Sequence, residues 1–418
     1  MHCIERLSGH ISHRTRRHRL GGWCAFWALT AAPAVAQAQP TPAIADSPVT
    51  FDGRGVTVRG TDGITALTVR FRVQQLYSVS AADASGLEVT RTQFAIRRMR
   101  LRFAGTIRDP RLSVNVQLSF ARSDLDQENT GIANVLRDAN VSWQFTPQFS
   151  ATIGQGKLPG NRQRQVSSGD LQSLERSPVN ALFTVDRDVG VFLAYARDLG
   201  RARVVWRGAL SSGEGRNPAT GDGGVAVTAR VDFLPFGAFT NGGDYIEGDQ
   251  AREPSLKLSL GGAVSRNDRA IRTGGQLGPL LPAPQGMTTY FADALLKRRG
   301  VAVAAEYAHR VSPFPVLPVA TATRFVYAGQ GLSVQASWLL PRSSWEPMLR
   351  VTTVTPALAI QSLVGVESLV EQSVGLTRYV QGHRVKINTE LLHSRFSRRP
   401  LGMHRSEWTL RMGTEVGI

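Results

Sequence analysis

The sequence predicts an all-β protein: a transmembrane antiparallel β-barrel, with one loop folded inward as a constriction. Three observations predict it. Apolar and polar residues alternate with a period of two through most of the chain. The first 36 residues have the layout of an export signal. From residue 51 to 418 no linker, heptad or low-complexity tract breaks the chain, so this stretch reads as one domain.

The N-terminal segment comes first. Arg6, Arg14, Arg16, Arg17 and Arg19 form a basic stretch, Trp23 to Ala32 an apolar core, and Ala34-Val35-Ala36 a small-residue cleavage site. The core is too short to span a bilayer. Residues 1–36 are therefore expected to be a signal peptide, and 37–50, rich in Ala, Pro and Gln, a flexible leader. Both cysteines, Cys3 and Cys24, fall in the segment expected to be removed. That excludes thiol catalysis, a cysteine metal site and a disulfide scaffold in the mature chain.

Composition narrows the class further. Mean hydropathy is −0.14, and no apolar run of about 20 residues follows residue 36, which excludes a helical membrane protein. The formal charge is +17, with 49 basic against 32 acidic residues, and only four of the basic residues are lysines. Arginine stays charged at any working pH and offers a planar fork of donors that suits oxyanions.

The strands follow in order. Leu67, Val69, Phe71 and Val73 alternate with Thr68, Arg70, Arg72 and Gln74. The pattern repeats at Leu112–Phe120, Ala139–Phe145, Val189–Tyr195, Ala202–Trp206, Leu256–Leu260 and Val334–Trp338. Residues two apart on a strand share a face, so each segment has one apolar and one polar side. Arg108-Asp109-Pro110, Thr146-Pro147, Asp198-Leu199-Gly200 and Leu340-Pro341 mark turns, while 121–131, 211–224 and 239–253 are long and polar. Short turns at one rim and long loops at the other suit an outer-membrane barrel. A soluble β-sandwich also alternates; the export signal, the unbroken length and the missing cysteines favour the barrel. The final strand, Trp408 to Ile418, alternates to its last residue.

Chemistry concentrates in two regions. In Phe94–Phe103, Arg98, Arg100 and Arg102 share one face, and Met99, Leu101 and Phe103 the other. The arginines must face the lumen, because one at the bilayer midplane costs about 2–4 kcal/mol. Stacked guanidiniums repel unless anions or carboxylates lie between them. They form either an anion path or a wall cluster satisfied by carboxylates of an inward loop. The same phase points Arg70, Arg72, Lys257, Arg384 and Lys386 inward. The second region, Gly154 to Gly190, has little alternation and many charges. A long loop in a compact domain is usually functional. Folded into the barrel, it would line a constriction with Arg162, Arg164, Arg176 and Arg187; the alternative is an ordinary outer loop laced with salt bridges.

These pieces resemble the phosphate-selective porin O and P family. The likeness is carried by Asp62-Gly63 leading into Leu67–Gln74, by Arg97–Gly105, by Asn134–Ala139 and by Gly154–Pro159. It is densest at Ser167-Ser168, Glu175-Arg176-Ser177 and Arg187-Asp188-Val189-Gly190, and returns at Gly382–Ile387. The chain departs from the family at Gly160, where a bulkier residue is usual, and in its scarcity of lysine. The resemblance implies about 16 strands and a homotrimer in the outer membrane of a Gram-negative bacterium, in contact with lipid and lipopolysaccharide. It also implies passive diffusion of small anions such as phosphate, pyrophosphate and chloride. A general diffusion porin for organic acids or sugars is the alternative.

Other classes lack support. No HExxH, GxSxG or phosphate-cradling glycine loop occurs, and Ser168 has no surroundings that make a nucleophile with His309 or His383, so no enzyme is expected. The arginines alternate with lipid-type residues and form no surface tract, which speaks against nucleic acid. No cofactor or metal site is expected; Asp124, Asp126 and Glu128 read as a solvated acidic loop.

Overall fold

Twenty strands are described in a computed structural model covering residues 48–52, 55–82, 88–125, 134–218, 223–318, 323–398 and 402–418. The stretch expected to be an export signal, with Cys3 and Cys24, lies outside these residues, as do Asp126, Glu128 and the expected leader as far as residue 47. Strand β1 (Val49–Asp52) begins two residues inside the stretch read as leader, because Val49 and Thr50 pair with Val58 and Thr57 of β2 (Gly55–Arg59).

The wall is built from β3 (Ala66–Ala81), β4 (Val89–Ile107), β5 (Asp109–Ser119), β6 (Leu136–Gln144), β7 (Phe149–Lys157), β8 (Arg187–Leu199), β9 (Ala202–Ser211) and β10 (Ala226–Leu234). It continues through β11 (Lys257–Arg272), β12 (Leu280–Arg298) and β13 (Val301–Val311). After a small hairpin, β14 (Val316–Pro318) with β15 (Thr323–Phe325), come β16 (Gly329–Trp338), β17 (Trp345–Pro356), β18 (Ser368–Gln381), β19 (Val385–Arg398) and β20 (Met403–Gly417). Each wall strand pairs antiparallel with the next, and β20 closes on β3, so sixteen strands form the barrel. Closure leaves no open edge, which is what lets strands cross a bilayer. Ile418 exchanges both backbone hydrogen bonds with Phe71, and β2 then takes over the same edge of β3 at Val56↔Val69.

The alternation holds on the outside. Val189, Val191, Leu193, Tyr195 and Trp206 are exposed on the outer face, as lipid-facing positions must be. Aromatic side chains gather near the strand ends, with Arg111 over Trp143 and Arg378 over Trp345 at one rim, and Arg405 over Phe396 at the other. Turns at the first rim are short. Arg299 and Gly300, both at positive φ (49° and 90°), make the two-residue link between β12 and β13, whose handedness matches the strand twist. One connection departs from expectation. The polar stretch at 239–253 lies on this short-turn rim, because β10 runs towards it, and it folds into the barrel mouth.

Two bulges shape the lumen. Gln74 pairs with Arg98 and Gln75 with Ile96, so Arg97 is the extra residue of β4. Gln117 pairs with Asp138 and Leu118 with Leu136, so Arg137 is the extra residue of β6. A bulge sets two residues against one and lets consecutive side chains turn to the same side.

The barrel is not an empty tube. The β7–β8 loop folds inward, and its Leu158, Val179, Phe183 and Val185 pack on inward-facing Ala209, Phe291, Ala308 and Val354. Apolar residues at these lumen positions break the polar-inside rule only where the loop docks. Gly160 is part of that fit: a Cβ there would stand 2.2 Å from Val185. Gly413 makes room for Leu174 in the same way.

Candidate functional site

The β3–β4 pairing dictates the centre of the site. Arg70 lies directly opposite Arg102, and Arg72 opposite Arg100, so four guanidiniums form a square on the lumen wall. Like charges directly opposite destabilise a strand pair. One row of the square is neutralised. Arg72 pairs with Glu415 at 3.0 Å and Arg100 with Asp124 at 2.7 Å. The Ser168 hydroxyl, carried in by the inward loop, accepts from both Arg72 and Arg100, which leaves its own proton free to donate. The other row has no such relief: Arg102 donates only to the Asn115 side chain at 2.7 Å, Arg70 has no ion-pair partner among the described residues, and both are exposed.

Two adjoining cavities, about 270 and 310 Å³, share the Arg100, Arg102, Gln117 and Ser167 lining. They run along the β3–β8 wall, from Arg384 in the β18–β19 turn to Lys157 and Arg187 at the far ends of β7 and β8. Ten cationic side chains line the pair against three carboxylates, those of Asp138, Asp170 and Glu415. Arg137, Arg164 and Arg187 are ion-paired to Asp124, Asp186 and Asp138. Arg176 and Lys157 donate to backbone carbonyls of the loop, and neither has a carboxylate partner among the described residues. With Arg70, Arg102 and Arg384, that makes five cations without a counter-charge in contact among the described residues.

Four expected members lie elsewhere. Arg98 is buried beneath the loop, bound to Gln74, to the Leu174 carbonyl at 2.9 Å and to Glu175 at 3.1 Å. Its chemistry is that of the satisfied wall cluster, not of an open path. Arg162 turns to the opposite wall, donating to Asp293 at 2.7 Å and reaching Asp232 at 3.3 Å. Lys386 is buried and ties the loop down through the Gly169 and Leu171 carbonyls at 2.7 and 2.5 Å. Lys257 stays at the rim and bonds the Phe236 carbonyl at 2.8 Å. The β7–β8 segment is thus an inward loop, and its salt bridges are real too.

Sequence reasoning missed Arg97 and Arg137, because each is the extra residue of a bulge and falls on the wrong parity of a regular strand. Adjacent charges in an otherwise alternating run, Arg97-Arg98 and Arg137-Asp138, were the available signal. Lys157 was visible in the loop motif but was not assigned to the lining.

Electrostatics of the loop carboxylates fit this division. Burial pushes Glu175 up, yet Arg98 and Arg97 outweigh it and hold its carboxyl at about 2. Asp170 is different: burial raises its carboxyl above 3.8, despite Lys386 and Arg72 nearby. No group of side chains suited to hold a metal ion occurs among the described residues.

Residues 68–274 match the family described as phosphate-selective porin O and P. No curated protein matches the chain in sequence. Among solved structures, the chain is similar to the anion-selective porin from Comamonas acidovorans (TM-score 0.54, 12% identity, 85% of this chain and 100% of that one). It is also similar to the outer-membrane channel DcaP of Acinetobacter baumannii (TM-score 0.52, 10% identity, 85% and 98%). At such identities the likeness is one of fold.

Proposed function

Starting from an outer-membrane porin that belongs, over residues 68–274, to the phosphate-selective porin O and P family, we propose that the channel favours small anions and passes phosphate, pyrophosphate and chloride by passive diffusion. The observation that carries this reading is the cationic wall: ten cationic side chains against three carboxylates, with five of the cations lacking a counter-charge in contact among the described residues. A mobile anion relieves the repulsion in the Arg70–Arg102 row and gains charge-assisted hydrogen bonds there. Because Arg70 and Arg102 stay exposed, the anion is held weakly enough to leave, which conduction requires. The Ser168 proton adds a donor beside Arg72 and Arg100. The reading includes no enzymatic activity and no resident cofactor, and it carries with it assembly as a homotrimer in contact with lipid and lipopolysaccharide.

The test is single-channel current in a planar bilayer under a potassium chloride gradient, with phosphate titrated in. Anion selectivity with block of the chloride current by phosphate is the expected result. Anion selectivity without block marks a porin for anions at large, organic acids included. Cation selectivity overturns the proposal.

A further inference from the structure

Residues 235–256 join β10 to β11 on the rim where the other described connections between barrel strands are short; the next longest is 339–344. The segment lies within the barrel mouth and is fastened on several sides. Tyr245 sits between the Arg162 and Arg207 guanidiniums, 5.2 and 5.0 Å from its ring, and donates to Asp232 at 2.9 Å. Lys297 donates to the Gly243 and Ile246 carbonyls at 2.7 and 2.8 Å. Arg252 donates to the Leu339 and Leu340 carbonyls at 2.9 and 2.6 Å, so the segment reaches the β16–β17 turn.

Its tip meets the loop that enters from the opposite rim. The Glu247 carboxylate accepts from Gln163 Nε2 at 3.1 Å and from the Gln172 backbone N–H at 2.8 Å. The Glu247 backbone N–H donates to the Asp170 carbonyl at 2.9 Å.

Burial shows what the segment covers. Asp232, Lys297 and Glu346 occupy inward strand positions, yet they are only 1%, 2% and 0% exposed. In a water-filled lumen such groups would be wet, as Arg70 and Arg102 are on the other wall. Gly248, at φ 70°, lies so close over Glu346 that a Cβ would come within 2.7 Å of its carboxylate oxygens.

We infer that residues 235–256 are a fixed plug, which closes the β10–β18 side of the lumen from the short-turn rim and, latched to the inward loop through Glu247, confines solutes to the cationic β3–β8 side. The inference rests on the reading of the chain as a channel along that wall. The physical consequence is direct. The covered wall carries Asp232, Asp293, Glu306 and Glu346 together with Arg230, Lys297, Arg310 and Arg350, so its charges balance. If it were open it would be a second path in parallel without the excess positive charge of the β3–β8 wall, and parallel paths add their currents, which dilutes anion selectivity.

The experiment compares the full chain with two variants in planar bilayers under the same salt gradient. In one, residues 239–252 are replaced by a short glycine–serine turn. In the other, Tyr245→Ala and Glu247→Ala release the latch at native length. The shortened variant is expected to conduct severalfold more and to show a reversal potential nearer zero. The latch variant is expected to show added open-channel noise and intermediate conductance. Unchanged conductance in a shortened variant that is folded, judged by heat-modifiable mobility on a gel, overturns the plug. Should that variant not fold, the latch variant decides, and currents identical to the parent overturn the inference. A parent channel without anion preference sinks the functional proposal above but leaves the conductance comparison intact.

Discussion

At the scale of single residues, the arginines of the lumen do two different jobs, and contact with carboxylates separates them. Arg102 faces Arg70 without a counter-charge, so Arg102→Ala should remove repulsion and leave the fold unharmed, or steadier by about 0.2–1 kcal/mol. It should also lower anion selectivity, measured as a smaller reversal potential. Arg230 is the opposite case, buried and bound to Asp232 at 2.6 Å and Asp293 at 2.8 Å. Removing it strands buried carboxylates, a loss of about 3–5 kcal/mol that urea unfolding in detergent should register. Asp170 gives the channel a pH dependence. Its carboxyl is raised above 3.8 by burial, so acidification neutralises it before an ordinary aspartate. Losing that negative charge makes the cavity more positive, and anion selectivity should rise as pH falls. Glu175, held at about 2, stays ionised over the same range and adds nothing to the change. In Asp170→Asn the dependence should vanish, with the high-selectivity value already present at neutral pH.

At the scale of elements, the bulges explain why a strand with consecutive arginines can sit in a membrane at all. Arg97 is the residue that β4 holds in excess of β3, and it reaches Glu175 beside Arg98. Deleting Arg97 should leave a regular strand with Ile96, Met99 and Leu101 still outward, and the protein should fold. Deleting Met99 instead would carry Arg98 to the lipid side, at about 2–4 kcal/mol, and should impair assembly. Refolding yield into detergent micelles, read from heat-modifiable mobility, distinguishes the two. The bulge also limits what a period of two can reach. Arg98, Arg100 and Arg102 share a phase because they lie on one side of the bulge, whereas counting in twos does not place Arg97. Arg162, expected in the constriction lining, and Lys386, expected to point inward, both lie within the barrel, but their partners come from strands and loops far along the chain, which no local pattern reveals.

At the scale of the molecule, the lumen is divided by charge. The β3–β8 wall is open and cationic, while the β10–β19 walls hold buried, balanced pairs such as Arg162 with Asp293 and Arg350 with Glu390. Only the open wall presents a field to passing ions. That field is screened over about 10 Å at 0.1 M salt and about 3 Å at 1 M. Anion selectivity should therefore fall as potassium chloride is raised across that range at a fixed gradient ratio. A selectivity independent of salt would point to tight binding sites instead of a wall potential.

The sequence by itself determined the barrel. A period of two over long stretches fixes which side chains meet lipid and which meet the lumen, because strand geometry leaves no third direction. It also located the inward loop, as a long charged break in that period, and put arginine on the inner face. What it could not decide was which arginines remain open to solutes. That depends on where Asp124, Glu175, Glu415 and the 235–256 segment come to rest, and each arrives from a distant part of the chain. A charge becomes part of a path or part of a pillar according to its neighbours in space, and closing the barrel is what chooses them.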